Sequence, residues 1–155
     1  MFAIEPDALG YDQLKNPFAE LVGFALRVGQ RGSGTSAAAV DVRPDLLNPN
    51  GVVHGGVLFT LADTAMGAAL YTTLAPGENC ATIEIKIHFL QPVTKGKIRC
   101  VTRLVHRGSR IAVLESHLSV GRVQVAQALG TFTIIVLRPA KTTGSGGAKR
   151  RRLSQ

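Results

Sequence analysis

Residues 82–89, TIEIKIHF, alternate without a break, with Ile83, Ile85, Ile87 and Phe89 apolar and Thr82, Glu84, Lys86 and His88 polar. A period of two over this length predicts a half-buried β-strand. Three further segments follow, GKIRCVTRLVHRG, RIAVLESHLSV and QVAQALGTFTIIVL, separated by Gly-containing turns; together the four predict an antiparallel meander. Upstream the period changes. From Gly55 to about Thr73 only Gly56 and Gly67 punctuate the chain, and Leu58, Leu61, Ala62, Ala65 and Ala69 recur at helical spacing, which predicts one long α-helix. Its polar face is nearly absent, so it must be enclosed on most sides. NPFAELVG, residues 16–23, has the Asn-Pro opening of a short helix or turn. The stretch from there to Val42, broken by GQRGSG, predicts a hairpin, and RPDLLNPNG predicts a loop. One enclosed helix and five or six strands imply an α+β domain, a curved antiparallel sheet wrapped around a central helix.

At 155 residues the chain is long enough for one ordinary core, assigned to residues 1–137. The net charge of +8 suggests a polyanionic partner until it is located. Of 18 basic residues, six fall in RPAKTTGSGGAKRRRLSQ, which holds no acid, leaving 12 basic against 10 acidic residues elsewhere. The basic character therefore belongs to residues 138–155, a Gly/Ser/Thr-rich tail expected to be disordered. Its KRRR cluster can attract phosphate-rich surfaces nonspecifically, but no aromatic residue interleaves with it, so nucleic-acid binding is not indicated. MFAIEPDALG carries acids where a secretory signal needs early positive charge, so a cytoplasmic protein is expected. Residues 56–75 could span a bilayer by length, yet a central Asp and many small residues argue for a buried helix and no membrane. Cys80 and Cys100 show no metal-ligand spacing, and reduced, mostly buried thiols are expected, with no metal site.

The order NPNGVVHGG, a long helix containing LAD, then ATIEIKIHFLQPVTKG resembles the hotdog-fold acyl-CoA thioesterases, in particular the PaaI-like subgroup of the phenylacetate-degradation type. The resemblance covers roughly residues 16–137. It implies the hotdog fold, hydrolysis of an acyl-CoA to free acid and CoA, no cofactor beyond the CoA of the substrate, and a homodimer with frequent assembly into tetramers.

Thioester hydrolysis needs a polarised carbonyl, donors for the developing oxyanion and a carboxylate that attacks or activates water. Gly55 and Gly56 open the helix, where unpaired N–H groups favour negative charge and the missing side chains admit a ligand; alone, the pair would also suit a tight turn. The resemblance gives the Gly55 amide the oxyanion role. Asp63 is either a solvated or internally satisfied carboxylate, or the base or nucleophile. Its neighbours Leu61, Ala62, Ala65 and Met66 speak for a poorly solvated, reactive group. Eight residues separate Gly55 from Asp63, roughly 12 Å along a helix, whereas reacting groups meet at roughly 3–3.5 Å. If both act on one carbonyl, they come from two chains.

The resemblance adds Asn48 as a partner for water or the thioester, His54 as a support for the loop or thioester, and Thr82 as a hydroxyl bonding the attacking water. By residue type alone, Asn48 caps a turn, His54 is structural and Thr82 is a strand-edge hydroxyl. For the CoA phosphates the resemblance points to HRGSR, with Arg107, Gly108 and Arg110, although arginines at turns are commonly just solvated; Lys95 and Lys97 are weaker candidates. Leu58, Phe59 and Met66 are candidates for the acyl pocket. The alternative is a noncatalytic acyl-CoA-binding hotdog domain, which would keep the cleft and lose the carboxylate that Asp63 supplies. A hotdog dehydratase would pair a His and a carboxylate differently.

Overall fold

The computed structural model describes residues 16–136; the N-terminal segment and the basic tail, 138–155, lie outside the described residues. Helix α1 (Pro17–Val22) begins as NPFAELVG predicts. Asn16 Oδ1 accepts from the Ala19 amide at 3.0 Å, Pro17 sits in the first turn, and Gly23 closes the helix at φ +77°. Glycine suits this left-handed cap because it carries no Cβ. Arg43 donates to the carbonyls of Val22 (2.6 Å) and Leu21 (2.9 Å), which the helix leaves unpaired.

The predicted hairpin is β1 (Phe24–Val28) and β2 (Thr35–Asp41). Its tip docks on the end of α2 (Gly55–Tyr71) through buried Thr72. The Gly32 amide donates to the Thr72 carbonyl at 2.7 Å, the Gly34 amide to the Thr72 hydroxyl at 2.8 Å, and that hydroxyl to the Ala69 carbonyl at 2.8 Å.

Strands β3 (Glu78–Phe89), β4 (Lys97–Arg107), β5 (Ile111–Val120) and β6 (Val123–Val136) complete a six-stranded antiparallel sheet of order β1-β2-β4-β5-β6-β3. The expected four-strand meander is corrected here: only β4, β5 and β6 form one, while β3 pairs with β6 from Glu78↔Val136 to Phe89↔Ala126 and β4 pairs with β2. Residues 90–96, LQPVTKG, are longer than hairpin loops usually are and contain a proline, so they carry the chain away from β3 instead of folding it back. Strand β3 also begins at Glu78, four residues before the alternating run. A bulge between Thr82 and Glu84 interrupts its register, so only Ile85 and Ile87 of the alternating set are half-buried, while Ile83 and Phe89 are 54% exposed.

The sheet curves around α2, whose Leu61, Ala62, Ala65, Met66, Ala69 and Leu70 are fully buried against Ile98, Cys100, Leu114, Leu118, Ala126 and Phe132. The alanines let strands approach closely, and each large side chain so buried contributes roughly 1.5–3 kcal/mol. Polar groups in this core are paired: the Ser36 hydroxyl donates to the Ala65 carbonyl at 2.6 Å, and those of Thr102 and Ser116 share a 2.6 Å bond. On the outer face Glu115 accepts from Arg103 (2.6 Å) and Gln127 (3.1 Å), and His117 Nε2 lies 3.0 Å away. Among the described residues no helix is long and apolar enough to cross a membrane. Among the described residues the cover over α2 is incomplete along one stripe, where Gly56, Thr60, Asp63, Thr64, Gly67 and Tyr71 are only partly covered or exposed.

Candidate active site

The loop before α2 is built to present the helix start. Leu47 bridges Val53, and the Asn48 amide donates to the Val52 carbonyl at 2.7 Å. The Val53 amide reaches the Val93 carbonyl at 2.7 Å and that of His54 the Leu46 carbonyl at 2.8 Å. Asn48 Oδ1 accepts from the amides of Asn50 (2.9 Å) and Val52 (3.4 Å), so the side-chain oxygen tightens the NPNG turn. Its amide nitrogen makes no hydrogen bond among the described residues.

His54 is the N-cap of α2. It holds φ −60° and ψ 134°, and its Nδ1 accepts from the Gly56 amide at 3.0 Å. A neutral imidazole that accepts at Nδ1 carries its proton on Nε2, so His54 points a donor outward. The Gly55 amide donates to no partner among the described residues, leaving an N–H at the positive end of the helix dipole. A Cβ at position 55 would stand 3.1 Å from the Phe89 ring, so the glycine also permits close packing there.

Asp63 does not sit as its neighbours suggested. Leu61, Ala62, Ala65 and Met66 are fully buried, but they turn to the core while Asp63 occupies the open stripe and is half-buried. Leu61, Ala62 and Ala65 are beside it in sequence but not in space, because a helix sends residues i−2, i−1 and i+2 to other faces. The Thr82 hydroxyl donates to Asp63 Oδ1 at 2.7 Å, a charge-assisted bond that orients the carboxylate, and Asp63 lines a cleft of about 550 Å³. Gly67, Tyr71, Cys80 and Phe132 also line this cleft. Gly55 belongs to a different one of about 340 Å³, formed with Val52, Val53, Leu58, Phe89 and the 90–93 segment. The two share no residue, in keeping with roughly 12 Å of helix between Gly55 and Asp63.

The HRGSR segment is the β4–β5 turn, closed by the Gly108 amide donating to the Ile111 carbonyl at 2.8 Å. Arg107 is committed within the chain: its Nη2 donates to Glu78 Oε2 at 2.6 Å, and the same oxygen accepts from the Ala75 amide at 2.8 Å. Arg110 is exposed and makes no ion pair among the described residues; its carbonyl accepts from Ile134 at 2.8 Å. Lys97 pairs with Asp41 at 3.3 Å. Of the acyl-pocket candidates, Leu58 lines the Gly55 cleft, Met66 is fully buried in the core and Phe59 is exposed. Among the described residues no cluster of His, Cys, Asp and Glu could hold a metal ion.

Residues 50–125 match the model of the thioesterase superfamily. PA0474 of Pseudomonas aeruginosa, provisionally named an esterase, is 33% identical over 119 residues, 76% of this chain and 87% of that protein. The chain belongs to the thioesterase superfamily. It is thus a thioester hydrolase, and its sheet curved around α2 is the hotdog fold of the PaaI-like thioesterases. A phenylacetic acid degradation-related protein of Ralstonia eutropha JMP134 superposes with a TM-score of 0.71 at 28% identity, covering 77% of this chain and 91% of that one. The 1,4-dihydroxy-2-naphthoyl-CoA hydrolase of Escherichia coli is 29% identical over 91 residues, 58% of this chain and 67% of that enzyme.

In this thioesterase the sequence left most lining residues of the Asp63 cleft unmarked as site residues, Gly67, Tyr71, Cys80 and Phe132 among them. Gly67 and Tyr71 could have been found as the i+4 and i+8 positions from Asp63, and Cys80 as the residue two before Thr82 on the same strand face. Phe132 follows only from the β3–β6 register, in which it faces Thr82. Burial, and then the nearby Asp63 charge, raise the Cys80 thiol above its ordinary value, so it is a poor nucleophile at neutral pH.

Proposed function

We propose that this thioesterase hydrolyses an aryl or medium-chain acyl-CoA to the free acid and CoA at a site completed by a second copy of the chain. The observation that carries the reading is the 2.7 Å bond from Thr82 to Asp63, which holds a carboxylate at the edge of an open cleft. Asp63 Oδ2 serves as the general base for water or as the nucleophile, and the unpaired Gly55 amide donates to the carbonyl oxygen as charge develops on it. His54 fixes the neighbouring Gly56 amide and so the helix start. The free amide nitrogen of Asn48 and the Thr82 hydroxyl stand as supporting contacts to water or thioester. Arg110, with Gly108 allowing close approach, is the available cation for the CoA phosphates, while Arg107 is held by Glu78 and contributes to the turn that presents them. The named activity of the Escherichia coli relative, a 1,4-dihydroxy-2-naphthoyl-CoA hydrolase, and the phenylacetic acid link in the name of the Ralstonia relative support an aryl acyl-CoA as the substrate class.

The dimer reading is supported by β3. Among the described residues it is an edge strand, and the backbone on its outer side, unpaired among them, can accept another strand. Its two ends touch the two halves of the chemistry, Thr82 bonding Asp63 and Phe89 lying against Gly55. Antiparallel pairing of two β3 edges about Ile85 and Lys86 sets Thr82 of one chain opposite Phe89 of the other. In this reading Asp63 of one chain and Gly55 of the partner subunit serve one carbonyl, twice per dimer, and two such dimers make the tetramer.

The test is release of free CoA thiol from a panel of aryl and straight-chain acyl-CoAs by the wild type and by Asp63→Asn. A fall of at least about 100-fold in the variant supports the assignment. Equal rates would remove Asp63 from the mechanism, and a wild type that binds acyl-CoA without cleaving it would overturn the catalytic reading.

A further inference from the structure

Gly67 lies inside α2, where glycine is disfavoured because it gains rigidity at the largest entropic cost and has no side chain to pack. Two reasons commonly keep a glycine in such a place, and neither applies. Its φ is not in the left-handed region, unlike those of Gly23, Gly34 and Gly96. Nor does the chain crowd it: a Cβ there would have Phe132 Cε1 as its nearest neighbour, at 3.9 Å, an ordinary contact. Gly130 shows the contrast, since a Cβ at that position would stand 2.6 Å from Met66 Sδ. A Cβ at 67 would therefore fit, and the helix leaves that place bare.

That place opens into the Asp63 cleft. Asp63, Gly67 and Tyr71 follow one another at intervals of four along the stripe of α2 that the sheet leaves uncovered. Facing them are Cys80, whose Sγ lies 4.0 Å from the Gly67 carbonyl, and Thr82. Phe132, almost fully buried, forms the floor. Tyr71 and Glu78 stand at the far end, where the bond to Arg107 fixes Glu78. The wall opposite Cys80 is bare helix backbone, beginning roughly 6 Å along the axis from Asp63.

We infer that Gly67 sets the acyl specificity of this thioesterase: its missing side chain leaves the cleft wall beside Phe132 bare, and the bulky part of the acyl group packs against that wall while the thioester carbonyl stays at Asp63. The inference rests on the acyl-CoA reading above. An acetyl group ends short of that wall, whereas a phenyl ring or a chain of eight carbons reaches it. A flat ring there meets the edge of Phe132, a favourable aromatic geometry.

The experiment compares kcat/KM for acetyl-CoA, phenylacetyl-CoA and octanoyl-CoA in the wild type, Gly67→Ala and Gly67→Leu, alongside thermal melting and size-exclusion chromatography. Gly67→Leu is expected to lose at least about tenfold on phenylacetyl-CoA and octanoyl-CoA, the discrimination a pocket gains from a methylene or more, while acetyl-CoA stays within about twofold. Gly67→Ala, which the 3.9 Å clearance admits, is expected to shift the profile the same way by less and to raise Tm, since alanine favours the helix. This variant carries the test if the leucine protein does not fold. Unchanged acyl profiles would overturn the role of Gly67 while leaving the thioesterase reading intact. Equal losses on all three substrates, or loss of the oligomer, would overturn it too, the latter by reserving the space for a neighbouring copy. No cleavage of any acyl-CoA by the wild type would bring down both readings.

Discussion

Replacing Gly55 by proline deletes one atom pair, the N–H proposed to hold the oxyanion, and the local geometry accepts the change. Position 55 is the first helical residue, where proline is tolerated because its missing N–H has no intrahelical partner. His54 already holds φ −60° and ψ 134°, the extended conformation that a residue before proline requires. The added ring meets Phe89, 3.1 Å from the Cβ position, and that exposed side chain can yield. Loss of one oxyanion donor costs about 10²–10³ in kcat, or roughly 2.7–4 kcal/mol, and Asp63→Asn removes a base worth about 10²–10⁴. Each variant alone should be nearly inactive. If each site takes Gly55 from one chain and Asp63 from the other, a hybrid dimer of the two variants has one site with both defects and one with neither. Random assortment makes half the dimers hybrids, so a 1:1 mixture refolded or co-expressed together should recover about a quarter of wild-type activity. The assay is CoA thiol release from the mixture, with hybrids isolated through two different affinity tags. Isolated hybrids no more active than their parents would refute the two-chain site.

Three further outcomes follow from single contacts. Thr82→Val removes the bond that orients Asp63 and should lower kcat about tenfold, since a hydrogen bond to a charged group is worth about 1.5–3 kcal/mol and water replaces part of it; unchanged kcat in steady-state kinetics would make Thr82 a bystander. Arg110→Ala should raise KM for CoA thioesters with little change in Tm, whereas Arg107→Ala should lower Tm by stranding Glu78, a loss of about 1–2 kcal/mol; the reverse pattern in paired kinetic and melting data would exchange their roles. Partial burial pushes the Glu115 carboxyl up, but the Arg103 hydrogen bond, with the charges of His117 and Arg103, outweighs it and leaves the group below its ordinary value of 4.5. A depressed carboxyl stabilises the fold above its unfolded pKa and loses that contribution as pH falls through the folded one. Urea titrations should therefore find Glu115→Gln less stable than wild type at pH 7, with the gap closing below about pH 4.5; a gap independent of pH would contradict this.

Local pattern determined a large share of this protein. The helix of residues 55–71, the capped turn at 16–23 and the strands of β4, β5 and β6 were legible because their periods and caps are properties of short segments, each read within a few residues. The family was legible for a similar reason, since NPNGVVHGG and LAD place a loop, a helix start and a carboxylate in one continuous stretch. The position of β3 was not, because which edge a strand joins depends on long-range pairing that local alternation does not encode, and the meander expected from sequence order gave way to pairing with β6. The surroundings of Asp63 were likewise decided by tertiary structure. Its apolar sequence neighbours turn to the core, and the group that holds it, Thr82, lies 19 residues away on a strand brought alongside. The commitment of Arg107 to Glu78 spans 29 residues and could not be read from the HRGSR motif. Sequence fixes which chemical groups a chain owns and which local elements they ride on; which groups meet is set by how the sheet closes around the helix, where many weak packing terms act together.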